Sequence, residues 1–156
     1  MSQKAEIIAK LKETRQEIKE LLSDIPPEKE IYPEWGLKEL LAHFAGWDDA
    51  TLTGVRGCLA GQNPIIIAPR GADDYNARTV SERETLPIGH IIKEWELNRE
   101  LLLDLVKQIP EEKFDTQTIY PWGEEGTLAN LVLGMAGHEL FHIGEIKELK
   151  PGLLGK

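Results

Sequence analysis

The sequence predicts an all-α fold: a four-helix bundle with a long connection between its second and third helices. Three observations carry that expectation. Four stretches repeat apolar residues at spacings of three and four, and no stretch alternates convincingly as a strand would. Prolines and glycines punctuate the chain between them. A weak internal repeat also sorts the stretches into two similar pairs. Ile25-Pro26-Pro27-Glu28-Lys29 resembles Ile109-Pro110-Glu111-Glu112-Lys113, Ile31-Tyr32-Pro33 recurs as Ile119-Tyr120-Pro121, and Ala45-Gly46-Trp47 recurs as Ala136-Gly137-His138. Two related helix pairs joined by a linker make a bundle.

The first helix is expected over residues 3–24, with Ile8, Leu11, Ile18, Leu22 and Ile25 marking one face. Pro26-Pro27 stops it, because proline lacks a donor and disfavours helix in the residue before it. After a link from Glu28 to Trp35, a second helix is expected from Gly36 to Ala60. Leu37, Leu40, Leu41, Phe44 and Trp47 form its stripe, and Gly61-Gln62-Asn63-Pro64 ends it. The stretch from Gly61 to Leu86 is too long for a tight turn and reads as a linker, with at most a helical turn at Ser81-Glu82-Arg83-Glu84. Thr85 is placed to cap the third helix, with Pro87 tolerated in its first turn. That helix buries Ile91, Trp95, Leu102 and Val106 and runs until Pro110. A second link, Glu111 to Gly126, precedes a fourth helix from Thr127 to Leu149, with Pro151 and Gly152 as stop signals.

At 156 residues the chain is expected to form one domain over residues 1–156, large enough to bury a core. The formal net charge is −9 and the lysines and arginines are dispersed, so a phosphate-tracking surface, and with it nucleic acid, is not expected. The single cysteine, Cys58, excludes an intramolecular disulfide and a cysteine-based zinc site. The N-terminal stretch is charged throughout, unlike a signal peptide, and Ile65-Ile66-Ile67 is far too short to span a membrane. These features together predict a cytoplasmic protein with no membrane partner.

The chemistry is concentrated in His138-Glu139-Leu140-Phe141-His142. Histidines four residues apart on a helix lie on one face about one turn apart, where two neutral imidazoles can grip one metal ion. Leu131 and Met135 share that face, so it should point inward, and buried imidazoles need partners. His43 lies on the inner edge of the second helix and supplies a third ligand if helices two and four meet. His90 falls off the stripe of its helix and is expected in solvent. Read literally, the segment is also H-E-x-x-H, the zinc-peptidase pattern, in which Glu139 would act as general base. Only 14 residues follow His142 and none is a histidine, so the third ligand must come from upstream. That disfavours a metallopeptidase and leaves Glu139 as either a base near the metal or a solvated glutamate.

Two segments resemble the DinB/YfiT-like superfamily of four-helix metalloenzymes: the run from Trp35 through His43 to Trp47, and His138-Glu139-Leu140-Phe141-His142-Ile143-Gly144-Glu145-Ile146. The likeness extends over the whole chain in order and length. It implies His43, His138 and His142 as ligands to a divalent metal ion, zinc or nickel, with Glu145 in a place where the family often has glutamine. It further implies metal-dependent chemistry on a small molecule, of a thiol-dependent transferase or hydrolase type, with a low-molecular-weight thiol as one candidate partner. Glu139 and Glu145 are the candidate catalytic groups. Trp47 and the linker residues Tyr75, Asn76 and Arg78 are the candidate substrate contacts, because long loops often carry specificity. The rival reading is a non-catalytic bundle that binds a small ligand or assembles as a homodimer.

Overall fold

The computed structural model describes residues 2–62 and 66–155. Asn63 and Pro64, half of the stop expected after the second helix, and Ile65 lie outside them. Four long helices form the bundle: α1 (Gln3–Leu22), α2 (Leu37–Leu59), α4 (Ile88–Gln108) and α5 (Leu128–Leu153). Helix α1 packs chiefly on α5 and α2 chiefly on α4, and α2 also meets α5. That last contact brings His43 to the His138/His142 face.

Each boundary has a local cause. Ser2 Oγ accepts from Ala5 N at the start of α1, and the Glu39 carboxylate reaches back to Gly36 N at 2.9 Å at the start of α2. Thr127 caps α5 by accepting from Asn130 N. The expected stop at Pro151 does not end α5, which continues to Leu153. Proline removes only its own donor, and so close to the helix end Leu154 N still reaches Lys150 O at 3.0 Å.

The linker is the larger correction. It folds into an additional helix, α3 (Ala72–Glu82), which ends where only a turn at Ser81–Glu84 was expected. Only Tyr75 and Thr79 are buried along it, too few apolar positions for a helical period to stand out. Helix α3 seats on α2 at Gly46, where any Cβ would collide with the Thr79 side chain. Arg83 then ties the end of α3 to α4 through Glu94 at 2.8 and 2.9 Å. Gly46→Ala is expected to cost roughly 1–3 kcal/mol by overpacking, read as a lower urea midpoint.

The second link holds a 3₁₀ turn (Glu111–Asp115) and a hairpin of β1 (Gln117–Ile119) and β2 (Glu125–Thr127), paired antiparallel with Gln117 opposite Thr127. Strands of three residues are too short to show alternation in a sequence. The matching link in the first half makes a tighter turn, in which Tyr32 bridges Trp35 and Glu34 takes a left-handed φ of 68°.

Buried apolar side chains fall into two clusters, one around Leu11, Leu52, Leu102 and Leu131, the other around Ile18, Leu40, Ile91 and Ile146. Between them along the helices lies a polar layer. Arg15 of α1 pairs with Asp48 of α2 and Glu139 of α5, both at 2.7 Å; Arg99 of α4 pairs with Glu139 at 3.0 Å and Asp48 at 3.3 Å. Thr14 donates to Glu139 at 2.7 Å, and the Arg15 guanidinium lies 4.2 Å over the Trp95 ring. Burial alone would lower the pKa of Arg99, but the Asp48 and Glu139 carboxylates hold it above its ordinary value. All four helices thus meet in one buried, charge-balanced quartet.

Candidate metal centre

His43, His138 and His142 converge. Their Nε2 atoms form a triangle with edges of 2.9 Å (His43–His138), 3.1 Å (His138–His142) and 3.3 Å (His43–His142). Among the described residues this is the one group of three or more potential ligands close enough to share an ion. Bonds of about 2.0–2.1 Å set ligand nitrogens about 2.9 Å apart at right angles and about 3.4 Å apart in a tetrahedron, so the triangle fits either geometry.

The protonation states suit ligation too. Tyr32 Oη donates to Glu145 Oε1 at 2.8 Å and lies 2.8 Å from His142 Nδ1. A carboxylate only accepts, so the phenol proton goes to Glu145 and the phenol oxygen accepts from His142 Nδ1–H. That tautomer leaves a lone pair on His142 Nε2, facing the other two rings. Burial, then Glu145, raises the pKa of Tyr32 and keeps the phenol protonated.

Burial is the main reason all three imidazoles stay neutral. His43 is pushed down to about 2 by burial and then by the neighbouring His138 and His142, with Asn76 opposing. His138 falls to about 4 through burial and His142, opposed by Asp48. His142 is lowered by burial, opposed by Glu145. Three neutral imidazole nitrogens packed this closely cannot all be satisfied by one another. A cation between them satisfies all three.

The site opens on two sides. One hollow, of about 480 Å³, is lined by Tyr32, Trp35, Asn76, Phe141, Glu145 and the three histidines. A second, of about 460 Å³, reaches His43 and His138 past Trp47, Trp122 and Met135.

The expected site residues divide accordingly. Trp47 and Asn76 line the hollows, and Glu145 stands behind His142. Tyr75 sits behind Trp47, at a ring distance of 4.7 Å, with its hydroxyl donating to Gly46 O. Arg78 points elsewhere, to Asp74 and Ile67 O. Glu139 is a correction. It is neither a solvated glutamate nor a base at the histidines, being 2% exposed with both carboxylate oxygens held by Thr14, Arg15 and Arg99. His90 is exposed.

Sequence reasoning missed Tyr32 and the ion layer, and the internal repeat held the signal for both. Arg15 precedes Ile25 by ten residues as Arg99 precedes Ile109, and Asp48 follows Trp47 as Glu139 follows His138. The quartet therefore contains each half's copy of the same two positions. Tyr32 and Tyr120 also correspond, but Tyr120 Oη donates to the Thr127 carbonyl, whereas Tyr32 turns to His142.

No curated protein matches the chain by sequence. Solved structures do match its fold. An uncharacterised protein from Escherichia coli UTI89 superposes with a TM-score of 0.78 at 13% identity, covering 96% of this chain and 93% of that one. The colibactin self-resistance protein ClbS, solved in complex with a dsDNA, gives 0.78 at 14% identity over 94% of each chain. The mycothiol-dependent maleylpyruvate isomerase gives 0.77 at 12% identity over 94% of this chain and 63% of its own. Identities this low show the fold alone. Membership comes from sequence: the DinB superfamily profile matches residues 10–146, a span that takes in the three histidines, Tyr32 and the whole ion layer, and the chain belongs to the DinB superfamily.

Proposed function

We propose that the chain is a metal-dependent enzyme acting on a small molecule, with His43, His138 and His142 holding a divalent zinc or nickel ion. The observation that carries this is the triangle of Nε2 atoms, 2.9–3.3 Å on a side. A divalent ion there supplies a Lewis acid with positions left open, which lowers the pKa of a thiol or a water. The protein's own residues prepare the place. Tyr32 and Glu145 hold His142 in one tautomer, burial keeps the rings deprotonated, and Trp35 and Phe141 wall the mouth of one hollow.

Of the two reaction types, thiol-dependent transfer is favoured over hydrolysis, because a mycothiol-dependent enzyme shares the fold. The same reading takes the chain as one cytoplasmic domain. Among the described residues no helix is long and apolar enough to cross a membrane. ClbS was solved with duplex DNA, but a net charge of −9 argues against a nucleic-acid partner here.

Protein purified without an affinity tag is expected to carry about one zinc or nickel per chain, measured by elemental analysis, and His43→Ala and His138→Ala to lose it. Absence of metal, or equal metal in the variants, overturns the proposal. Low-molecular-weight thiols are then expected to raise the melting temperature of the loaded protein, and stabilisation by none of them removes the thiol branch. Tyr32→Phe is expected to keep the fold and weaken zinc affinity roughly 10–100-fold, read by competition with a chromogenic chelator.

A further inference from the structure

The second hollow is more than an opening onto the histidines. Trp47 and Trp122 line it, in edge contact at 5.5 Å, and each is backed by a tyrosine, which makes four rings in a row: Tyr75 stands edge-on to Trp47 at 4.7 Å and Tyr120 is tilted against Trp122 at 5.3 Å. Three of the four are pinned by hydrogen bonds. Tyr75 Oη donates to Gly46 O at 2.8 Å, Trp47 Nε1 to Asn76 Oδ1 at 2.6 Å, and Tyr120 Oη to Thr127 O at 2.8 Å. A wall so fixed is shaped before anything binds.

Met135 adds a polarisable thioether. The lining includes Gly71 and Gly134, where an added Cβ would meet nothing within 4 Å, so neither crowds the space. Trp47 occupies the Asn76 carbonyl oxygen, so the side of Asn76 left to face a ligand is its N–H group, beside His43. Asn76, His43 and His138 border both hollows, which puts the aromatic chamber and the three histidines within reach of one molecule.

Charge narrows the ligand further. Among the described residues no lysine or arginine lines either hollow, whereas Glu124 lines one and Glu145 the other. Apart from an ion held by the histidines, an anionic ligand body would find no counter-charge there.

We propose that this chamber binds the aromatic, uncharged body of the substrate, with a short polar arm accepting from Asn76 and reaching the histidines. This rests on reading the three histidines as the reaction centre. Asn76 is then a specificity residue, and Tyr75 and Tyr120 are positioning residues that hold the two tryptophans.

The test uses the full chain, ¹⁵N-labelled and stripped of metal so that a carboxylate has no ion to bind, titrated with benzyl alcohol and separately with benzoate while the four tryptophan indole N–H signals are followed. Benzyl alcohol is expected to move the Trp47 and Trp122 signals and leave Trp95 in place, with benzoate at least about tenfold weaker. Gly134→Leu fills the chamber from a helical position where glycine is the weaker helix former, so the fold is retained. It is expected to weaken benzyl alcohol at least about tenfold at unchanged capacity for added zinc, while Gly89→Leu, at the exposed start of α4, leaves binding unchanged. Equal affinity for the two probes, unmoved Trp47 and Trp122 signals, or wild-type affinity in Gly134→Leu would overturn the proposal. The two readings fail separately: aromatic binding by a chain that takes up no added zinc supports the chamber and removes the reaction centre, and zinc uptake without aromatic binding removes the chamber alone.

Discussion

Arg99→Ala is expected to destabilise the protein by roughly 3–5 kcal/mol, more than any single apolar truncation at its surface. Arg99 is 3% exposed and its guanidinium faces Asp48, Glu139 and the Leu11 carbonyl. Removing it leaves two buried carboxylates with Arg15 as their one remaining cation. The cost comes from that uncompensated charge and not from the attraction lost. Replacing the whole quartet by apolar residues of similar volume should therefore recover most of the stability. Urea unfolding separates the cases: a large fall in midpoint for Arg99→Ala and a small one for the fourfold apolar variant. A fall below about 1 kcal/mol for Arg99→Ala would show that water or a rearranged partner relieves the charge.

Acid is expected to unfold the metal-free protein earlier than its acidic composition suggests, through the three histidines. Their folded pKa values are depressed, to about 2 for His43 and about 4 for His138, below the 6.5 of an unperturbed imidazole. The unfolded chain then binds more protons than the native one in the interval below pH 6.5. Stability is complete above that value and declines as pH falls toward the folded pKa values. At pH 5 each of these two histidines contributes a loss of roughly 1.5–2 kcal/mol. Denaturation midpoints measured at pH 7.5 and pH 5 in the presence of a chelator give the slope, and His43→Gln should flatten it. A slope unchanged by His43→Gln would mean that His43 is already protonated or solvated in the native state. Zinc should restore stability at neutral pH and lose that power on acidification, because protons compete for the same lone pairs.

The three histidines were legible because helical spacing and an apolar stripe speak about the same residues. His138 and His142 follow a stripe begun by Leu131 and Met135, and His43 borders Leu40 and Trp47. The bundle itself was legible for the same reason, in four long periodic stretches. Glu139 and Arg15 were not, because a charged residue reads as surface unless its partner is known, and here the ion-pair partners of each come from two other helices. Helix α3 escaped because it buries only two residues, and the hairpin because three residues cannot establish a period. Tyr32 was quoted only as part of a repeat. Its role depends on an orientation that its counterpart Tyr120 does not share.

The quartet also bears on how two similar halves come to make one molecule. Each half supplies one arginine and one carboxylate, so the layer is neutral whether a half meets its counterpart or a second copy of itself. Charge balance alone therefore does not tell self from partner. The histidines differ between the halves: one brings His43 and the other brings His138 and His142, and their unlike pairing assembles three nitrogens around a point. In such a design the ion layer supplies a common way of joining halves, and the three-histidine cluster is where the pairing acquires its sense.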